Sequence, residues 1–368
     1  MKILHVVGAR PNFMKAAPLM EAFSRHNALH AGNPIEQTLV HTGQHYDEKM
    51  CRLFFEDLGL PKPDMDLEVG SGSHAQQTAE VMKRFEPVVL ERNPDWVVVV
   101  GDVNSTIACA LTAVKLGIKV AHVEAGLRSG DRSMPEEINR ILTDAIACLL
   151  FTTSRQASDN LRAEGIPLER IHFAGNTMID SLLKHRARAK RPSFMEKTGW
   201  EEFTVMTLHR PSNVDDGAAF GGIVDALQRL QDSMPVVFPI HPRTRKMAAH
   251  FDLLEKLQNM SNLALVEPQG YLEFLYLMAH AKLILTDSGG IQEESTVLGV
   301  PCLTLRPNTE RPETITEGTN TLVGNSAAGI VAAAEAALNG RGKAGRIPER
   351  WDGRAAERIV EVFLNGTS

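Results

Sequence analysis

Cysteine is scarce: four in 368 residues, at Cys51, Cys109, Cys148 and Cys302, with no C-x-x-C pair among them. Such spacing offers neither a disulfide framework nor a thiolate metal site, and it predicts buried free thiols. Aromatic residues make up only 5% of the chain, and none interleaves the basic run KHRARAKR at 184–191. The stacking pattern of a nucleic-acid binder is therefore missing, and a solvated linker fits that run better. The formal net charge of −6 gives no global pull toward nucleic acid or an anionic membrane. No apolar run approaches the roughly 18 residues that read as a membrane span. The start, MKILHVVGARPNFMK, lacks the longer apolar core and small-residue cleavage site of a signal peptide. A soluble cytoplasmic protein is the expectation. There is no Walker A motif, and Gly70-Ser71-Gly72-x-x-Ala75 matches a dinucleotide fingerprint only loosely.

What is present is regular alternation. KILHVV, TLVHT, DWVVVV, VAHVE, LLFTT and IHFAG in the first half, and FTVMTL, VVFPIH, LALVE, LILTD and PCLTL in the second, are short apolar, β-branched runs with helical patterns between them. Continuous apolar strands separated by helices predict parallel sheets covered on both faces, so the fold class is α/β with two Rossmann-like doubly wound domains. The boundary is expected near residue 178, at the end of GNTMIDS or in the helix behind it, giving domains 1–178 and 179–351. Ligands in such sheets bind beyond the carboxyl ends of the strands, and two facing domains would bring two sets of strand-to-helix turns into one cleft.

Those turns carry the candidates. In GARPNFMK, Arg10 and Lys15 flank a Pro-marked helix start that suits an anion, against a plain surface-charge reading. In HTGQHYDEKM, His41 and His45 are four apart, but Gly43 between them argues against a helical metal pair; Gln44 and His45 read better as ligand-contacting residues, and no metal is expected. Asp102 follows DWVVVV directly and is either a turn residue or a carboxylate aimed at a ligand. Glu124 ends VAHVE in the same topological place, so two like charges on adjacent strand ends are expected to push one pKa upward. Ser133-x-x-Glu136 matches a capping box ahead of an apolar series, which competes with a chemical role for Glu136. His209 with Arg210, and His241 with Arg243, sit just past two strands of the second half. LILTDSGGIQEES then runs a strand into Ser288, Gly289 and Gly290 and a helix, a place where backbone N–H groups can meet phosphate, with Glu293 or Glu294 in reach of a ribose. Arg311, in TERPE, either closes on the ligand or joins a surface network.

In that order, GARPNFMK, TGQH, GDVNST, HVEAGLRSGD, MPEEINR, TLHR, DSGGIQEE and TERPE make the chain resemble the non-hydrolysing UDP-N-acetylglucosamine 2-epimerase family over nearly its whole length. The resemblance implies a glycosyltransferase-B-like fold with an interdomain cleft and a homodimer. It implies isomerisation of UDP-N-acetylglucosamine to UDP-N-acetylmannosamine through a 2-acetamidoglucal, with no cofactor and a UDP-sugar as the partner. It places the catalytic carboxylates on Asp102, Glu124 and Glu136 and the cleft histidine on His209. Arg10 and Lys15 become the basic pair near the substrate; Ser288, Gly289, Gly290 and Glu294 the diphosphate and ribose contacts; Phe274 a neighbour of the uracil. The last helix, 352–368, would cross back to the N-terminal domain. Two features depart from the pattern. Tyr46 follows TGQH where members activated by UDP-N-acetylglucosamine typically carry Arg, and GSGSHAQQTAEVM looks more like relatives that epimerise other UDP-2-acetamido sugars, including a 2,3-diacetamido-glucuronate. A hydrolysing epimerase and a glycosyltransferase are the remaining alternatives.

Overall fold

The computed structural model describes residues 1–30, 32, 34–43, 55 and 57–365. The chain divides into two units, Met1–Lys184 with the chain from Glu349 on, and His185–Pro348. The division falls at the end of the helix Thr177–His185, behind GNTMIDS. That helix is held in the first unit by Ser181 Oγ, which donates to Met14 O at 2.5 Å.

In the first unit the described strands are β1 (Lys2–Val7), β2 (Glu36–His41), β3 (Met65–Asp66), β4 (Trp96–Val100), β5 (Lys119–Ala125), β6 (Leu149–Thr152) and β7 (Ile171–Phe173). They form one sheet in the order β3-β2-β1-β4-β5-β6-β7, parallel throughout. The second unit holds β8 (Thr204–Thr207), β9 (Val236–Pro239), β10 (Leu263–Val266), β11 (Leu283–Thr286), β12 (Cys302–Thr304) and β13 (Asn320–Leu322), in the order β10-β9-β8-β11-β12-β13 and again parallel. The short edge strands β3 and β13 have too few residues to give a periodic signal in the sequence. In each sheet the chain reverses direction of progress once, between β1 and β4 and between β8 and β11. Those are the topological switch points, where neighbouring strand-end turns diverge and leave a crevice.

The valine run of β4 is buried because helices cover both faces. One face packs Val97 and Val99 with the helix residues Phe85, Ala108 and Leu161; the other packs Val98, Val100 and Val123 with Phe23, Ile359 and Phe363. Ile359 and Phe363 belong to the last helix, Ala355–Asn365, so the C-terminal segment completes the core of the first unit. Asp180 caps that helix: its two oxygens accept the backbone N–H groups of Ala355 and Ala356 at 3.1 and 2.7 Å. Trp351 Nε1 donates to Thr153 O at 2.9 Å just before it. Of the cysteines, Cys109 and Cys302 are buried free thiols, whereas Cys148 is exposed, contrary to expectation, because it sits at the mouth of β6; Cys51 lies outside the described residues.

The ring of Phe363 lies 5.5 Å from Phe23 and 5.8 Å from Phe151. Phe363→Ala is expected to cost about 3–5 kcal/mol, read as a lower urea midpoint with an unchanged slope.

Candidate active site

At the β1/β4 switch point a side chain organises the turn after β1. Asn12 Oδ1 accepts the backbone N–H groups of Gly8 and Ala9 at 3.1 and 3.0 Å, and Asn12 Nδ2 donates to Val100 O at 3.0 Å, tying the β1 and β4 ends together. Gly8 is needed there: a Cβ would lie 2.4 Å from Ser105 Oγ and 2.8 Å from Thr42 Oγ1. Asn12 thus occupies the amides of Gly8 and Ala9, just ahead of the helix that begins at Arg10. The Arg10 side chain, Gln44 and His45 lie outside the described residues.

Lys15 points from the helix Arg10–Leu29 to Glu124, with Nζ 2.7 Å from each carboxylate oxygen and both side chains almost wholly buried. Glu124 occupies an irregular place on β5. The pairing with β6 slips between Val123 and Ala125, and Glu124 takes the left-handed φ of +72°. For a side chain with a Cβ that conformation costs about 1–3 kcal/mol and persists only where the surroundings impose it. The turn of Asp102 is its neighbour, since Val100 pairs with Val123 and the Gly101 N–H donates to Val123 O at 3.0 Å. Gly101, at φ +68°, leaves the room for the ion pair: a Cβ there would lie 2.9 Å from Lys15 Nζ.

The turns of the two strand-end acids are therefore neighbours, and each acid is paired with a cation. Asp102 has its own cation, Arg140, whose Nη2 and Nε donate to Oδ2 at 2.7 and 3.0 Å. Arg140 also donates from Nη1 to Glu137 at 2.8 Å, and Asn139 Nδ2 donates to Asp102 O at 2.9 Å. These bonds draw the helix Pro135–Ile146, with Glu136 in its first turn, onto the Asp102 turn. The capping box does not form. Pro135 takes the first helical position, which makes Met134 the N-cap, and Ser133 Oγ donates instead to Asp131 at 2.6 Å. Glu137 is 2% exposed and accepts from Ser129 N, Ser129 Oγ and Gly130 N at 2.9 to 3.0 Å. It shapes the loop ahead of Glu136.

At the β8/β11 switch point Asp287 is the centre. Its carboxylate accepts from the backbone N–H groups of His209 and Arg210, from Asn213 Nδ2 at 3.2 Å, and from His209 Nδ1 at 2.9 Å. Burial pushes its pKa up, but the His209 charge and these donors more than offset that and hold it at about 2. His209 is thereby fixed by one nitrogen with its ring 40% exposed. His241 caps the helix Pro242–His250, accepting Arg243 N at Nδ1 (3.2 Å), and its ring centroid lies 6.2 Å from that of His209; Arg243 pairs with Asp215. Ser288 is the N-cap of the helix Gly289–Leu298. Gly289 serves packing as well as access, because a Cβ would lie 2.4 Å from Arg311 Nη1. Arg311 is buried, not part of a surface network: Nε sits 3.0 Å from Glu293 and Nη1 2.5 Å from Glu310. Phe274 is half-buried on the helix Tyr271–His280.

Glu294 is left in a different state from Glu293. Burial first, and the Glu293 charge second, push its carboxyl up to about 8 against a weaker downward pull from the Tyr271 hydroxyl. Among the described residues no group of three or more His, Cys, Asp or Glu side chains is placed to hold a metal ion. No helix among them is long and apolar enough to cross a membrane.

Two doubly wound α/β units thus place Asp102 and Glu124 at one switch point, and His209, the helix start at Ser288 and the buried acids Glu293 and Glu294 at the other. Residues 27–364 match the family model described as UDP-N-acetylglucosamine 2-epimerase. The UDP-N-acetylglucosamine 2-epimerase of Methanocaldococcus jannaschii is 42% identical over 378 residues, covering all of both chains. The crystal structure of that archaeal enzyme in complex with UDP-GlcNAc and UDP matches with a TM-score of 0.92 over the whole of both chains at 42% identity. A Pseudomonas aeruginosa protein named UDP-2,3-diacetamido-2,3-dideoxy-D-glucuronate 2-epimerase is 43% identical over 341 residues, 92% of each chain. The chain belongs to the UDP-N-acetylglucosamine 2-epimerase family, and its two sheets have the glycosyltransferase-B-like two-domain architecture of that family's structures.

The Glu294 carboxyl sets a pH dependence. Its unfolded value is about 4.3, so the folded chain holds a proton there that the unfolded chain releases. That contribution to stability is complete below about pH 4.3 and is lost as pH rises toward 8. Glu294→Gln is expected to flatten this decline, read as denaturant midpoints of the ligand-free protein at pH 5, 6, 7 and 8.

Proposed function

We propose that this epimerase inverts C2 of UDP-N-acetylglucosamine to give UDP-N-acetylmannosamine, by eliminating UDP and adding it back across a 2-acetamidoglucal. The supporting observation is the pair of strand-end acids, Asp102 and Glu124, each held on a buried cation beside one switch point, in a chain of this family. A sugar C2–H is not acidic by itself, so charge must develop on the departing diphosphate as the proton leaves. In this reading the Ser288, Gly289 and Gly290 helix start receives the diphosphate, with His209, oriented by Asp287, as the donor beside it. Glu294 accepts from the ribose and Phe274 lies against the uracil; Arg10, His241, Arg243 and Arg311 complete the binding set.

Inversion needs proton-handling groups on both faces of the ring. Asp102, Glu124 and Glu136 come from three turns, which one loop could not supply. Lys15 acts through Glu124 and not as a free anion clamp, since both oxygens of that carboxylate hold it. The family resemblance further supports a cytoplasmic homodimer. A second reading, the 2-epimerase of a UDP-2,3-diacetamido uronate, is favoured by the P. aeruginosa relative and its 43% identity.

Incubation with UDP-N-acetylglucosamine in deuterated water, followed by NMR, is expected to yield both epimers with deuterium at C2. Asp102→Asn and Glu124→Gln are expected to lower that incorporation by about 10²-fold or more, in the range of a lost acid or base. Incorporation only into the diacetamido uronate would move the substrate to the second reading. Free UDP accumulating with free N-acetylmannosamine would overturn epimerisation in favour of hydrolysis, and transfer of the sugar to an added acceptor would mark a glycosyltransferase.

A further inference from the structure

We propose that His122 and Asp144 form a buried positioning pair that holds the Glu124 bulge and the Asp102 turn in register, an inference that rests on the roles given above to those two acids. His122 lies two residues before Glu124 on β5 and is fully buried. Its Nδ1 donates to Asp144 Oδ1 at 2.6 Å, and its Nε2 donates to Gly101 O at 2.8 Å. The second oxygen of Asp144 accepts Gly126 N at 3.1 Å and Arg128 Nη1 at 2.8 Å. One carboxylate thus grips the chain on both sides of Glu124, two residues before it and two and four residues after it. The same imidazole reaches across to the carbonyl immediately before Asp102.

This arrangement answers a question the bulge raises. A left-handed glutamate at a slipped register relaxes unless its flanks are held. The flanks are held here by bonds that use His122 and Asp144 completely. Both ring nitrogens of His122 face acceptors, which requires a proton on each and makes the bond to Asp144 charge-assisted. Burial pushes the Asp144 carboxyl up, but His122 and Arg128 more than offset this and leave it below the ordinary carboxylate value. Gly126 is itself constrained, at φ +80° with no room for a Cβ against Ala157 O. Arg128 closes the outer end by a second pair, with Glu164 at 2.7 Å. Neither His122 nor Asp144 is needed to explain the fold of β5, whose apolar neighbours already bury it; their bonds end on the two turns that carry the chemistry.

The test compares His122→Gln and Asp144→Asn with the wild-type enzyme on the UDP-sugar it epimerises, measuring kcat, KM and C2 deuterium incorporation, with UDP affinity by calorimetry. In either variant kcat and incorporation are expected to fall about 10²-fold, the scale of a 1 Å misplacement, while UDP affinity stays within about threefold of the wild type. Long-range 15N–1H NMR of the wild-type protein is expected to show both ring nitrogens of His122 protonated. A neutral His122 ring, an unchanged kcat in either folded variant, or a parallel loss of UDP affinity would overturn the proposal. Asp102→Asn measured alongside separates the two layers: full activity in that variant with loss in His122→Gln would sink the role of Asp102 and leave the pair positioning Glu124.

Discussion

The arrangement of the first unit depends on a glutamate held where a glutamate does not relax. Glu124 takes a left-handed conformation at a break in strand pairing, and Lys15 meets both of its oxygens at 2.7 Å in a nearly dry setting. A buried ion pair stabilises little by itself, because desolvation offsets most of the attraction, but removing one partner leaves a charge without compensation. Its value here is geometric. The pair fixes the carboxylate against the helix Arg10–Leu29, forces Gly101 to remain a glycine, and so determines the path of the neighbouring turn that carries Asp102. Arg140 repeats the device for Asp102 and, through Glu137, for the loop that leads into Glu136.

The second unit solves a similar problem with a different balance. Asp287 gathers backbone amides and His209 around one carboxylate, which stays ionised. Arg311 lies between Glu293 and Glu310, while among the described residues Glu294 pairs with no cation and sits against Tyr271 with a raised pKa. A carboxyl kept near neutrality in this way changes its charge readily when a polar ligand approaches, which suits a group meeting ribose hydroxyls.

Much of this was legible in the sequence because parallel α/β sheets place their chemistry at strand ends. The strand runs mark Asp102, Glu124 and His209 as strand-end residues, and the ordered motifs carry the family resemblance. What was not legible were the partners. Arg140 is 38 residues from Asp102 and Lys15 is 109 from Glu124, separations at which only the folded chain decides contact. Each of the two acids has a cation partner that composition could not assign. The S-x-x-E signal at Ser133 failed locally, because Pro135 prefers the first helical position and moved the cap one residue on. The positive φ of Glu124 had no signal at all, since turn rules anticipate glycine, asparagine or aspartate in that conformation.

If Glu124 is strained for the sake of its chemistry, removing the pair and the strain together must separate stability from activity. The decisive measurement is C2 deuterium incorporation by the double variant Lys15→Met/Glu124→Gly, taken with its melting temperature. The account predicts a protein at least as stable as the wild type, with methionine filling the lysine's space and glycine accepting the left-handed φ, and with incorporation lost. A folded double variant that exchanges the C2 proton at the wild-type rate would contradict it.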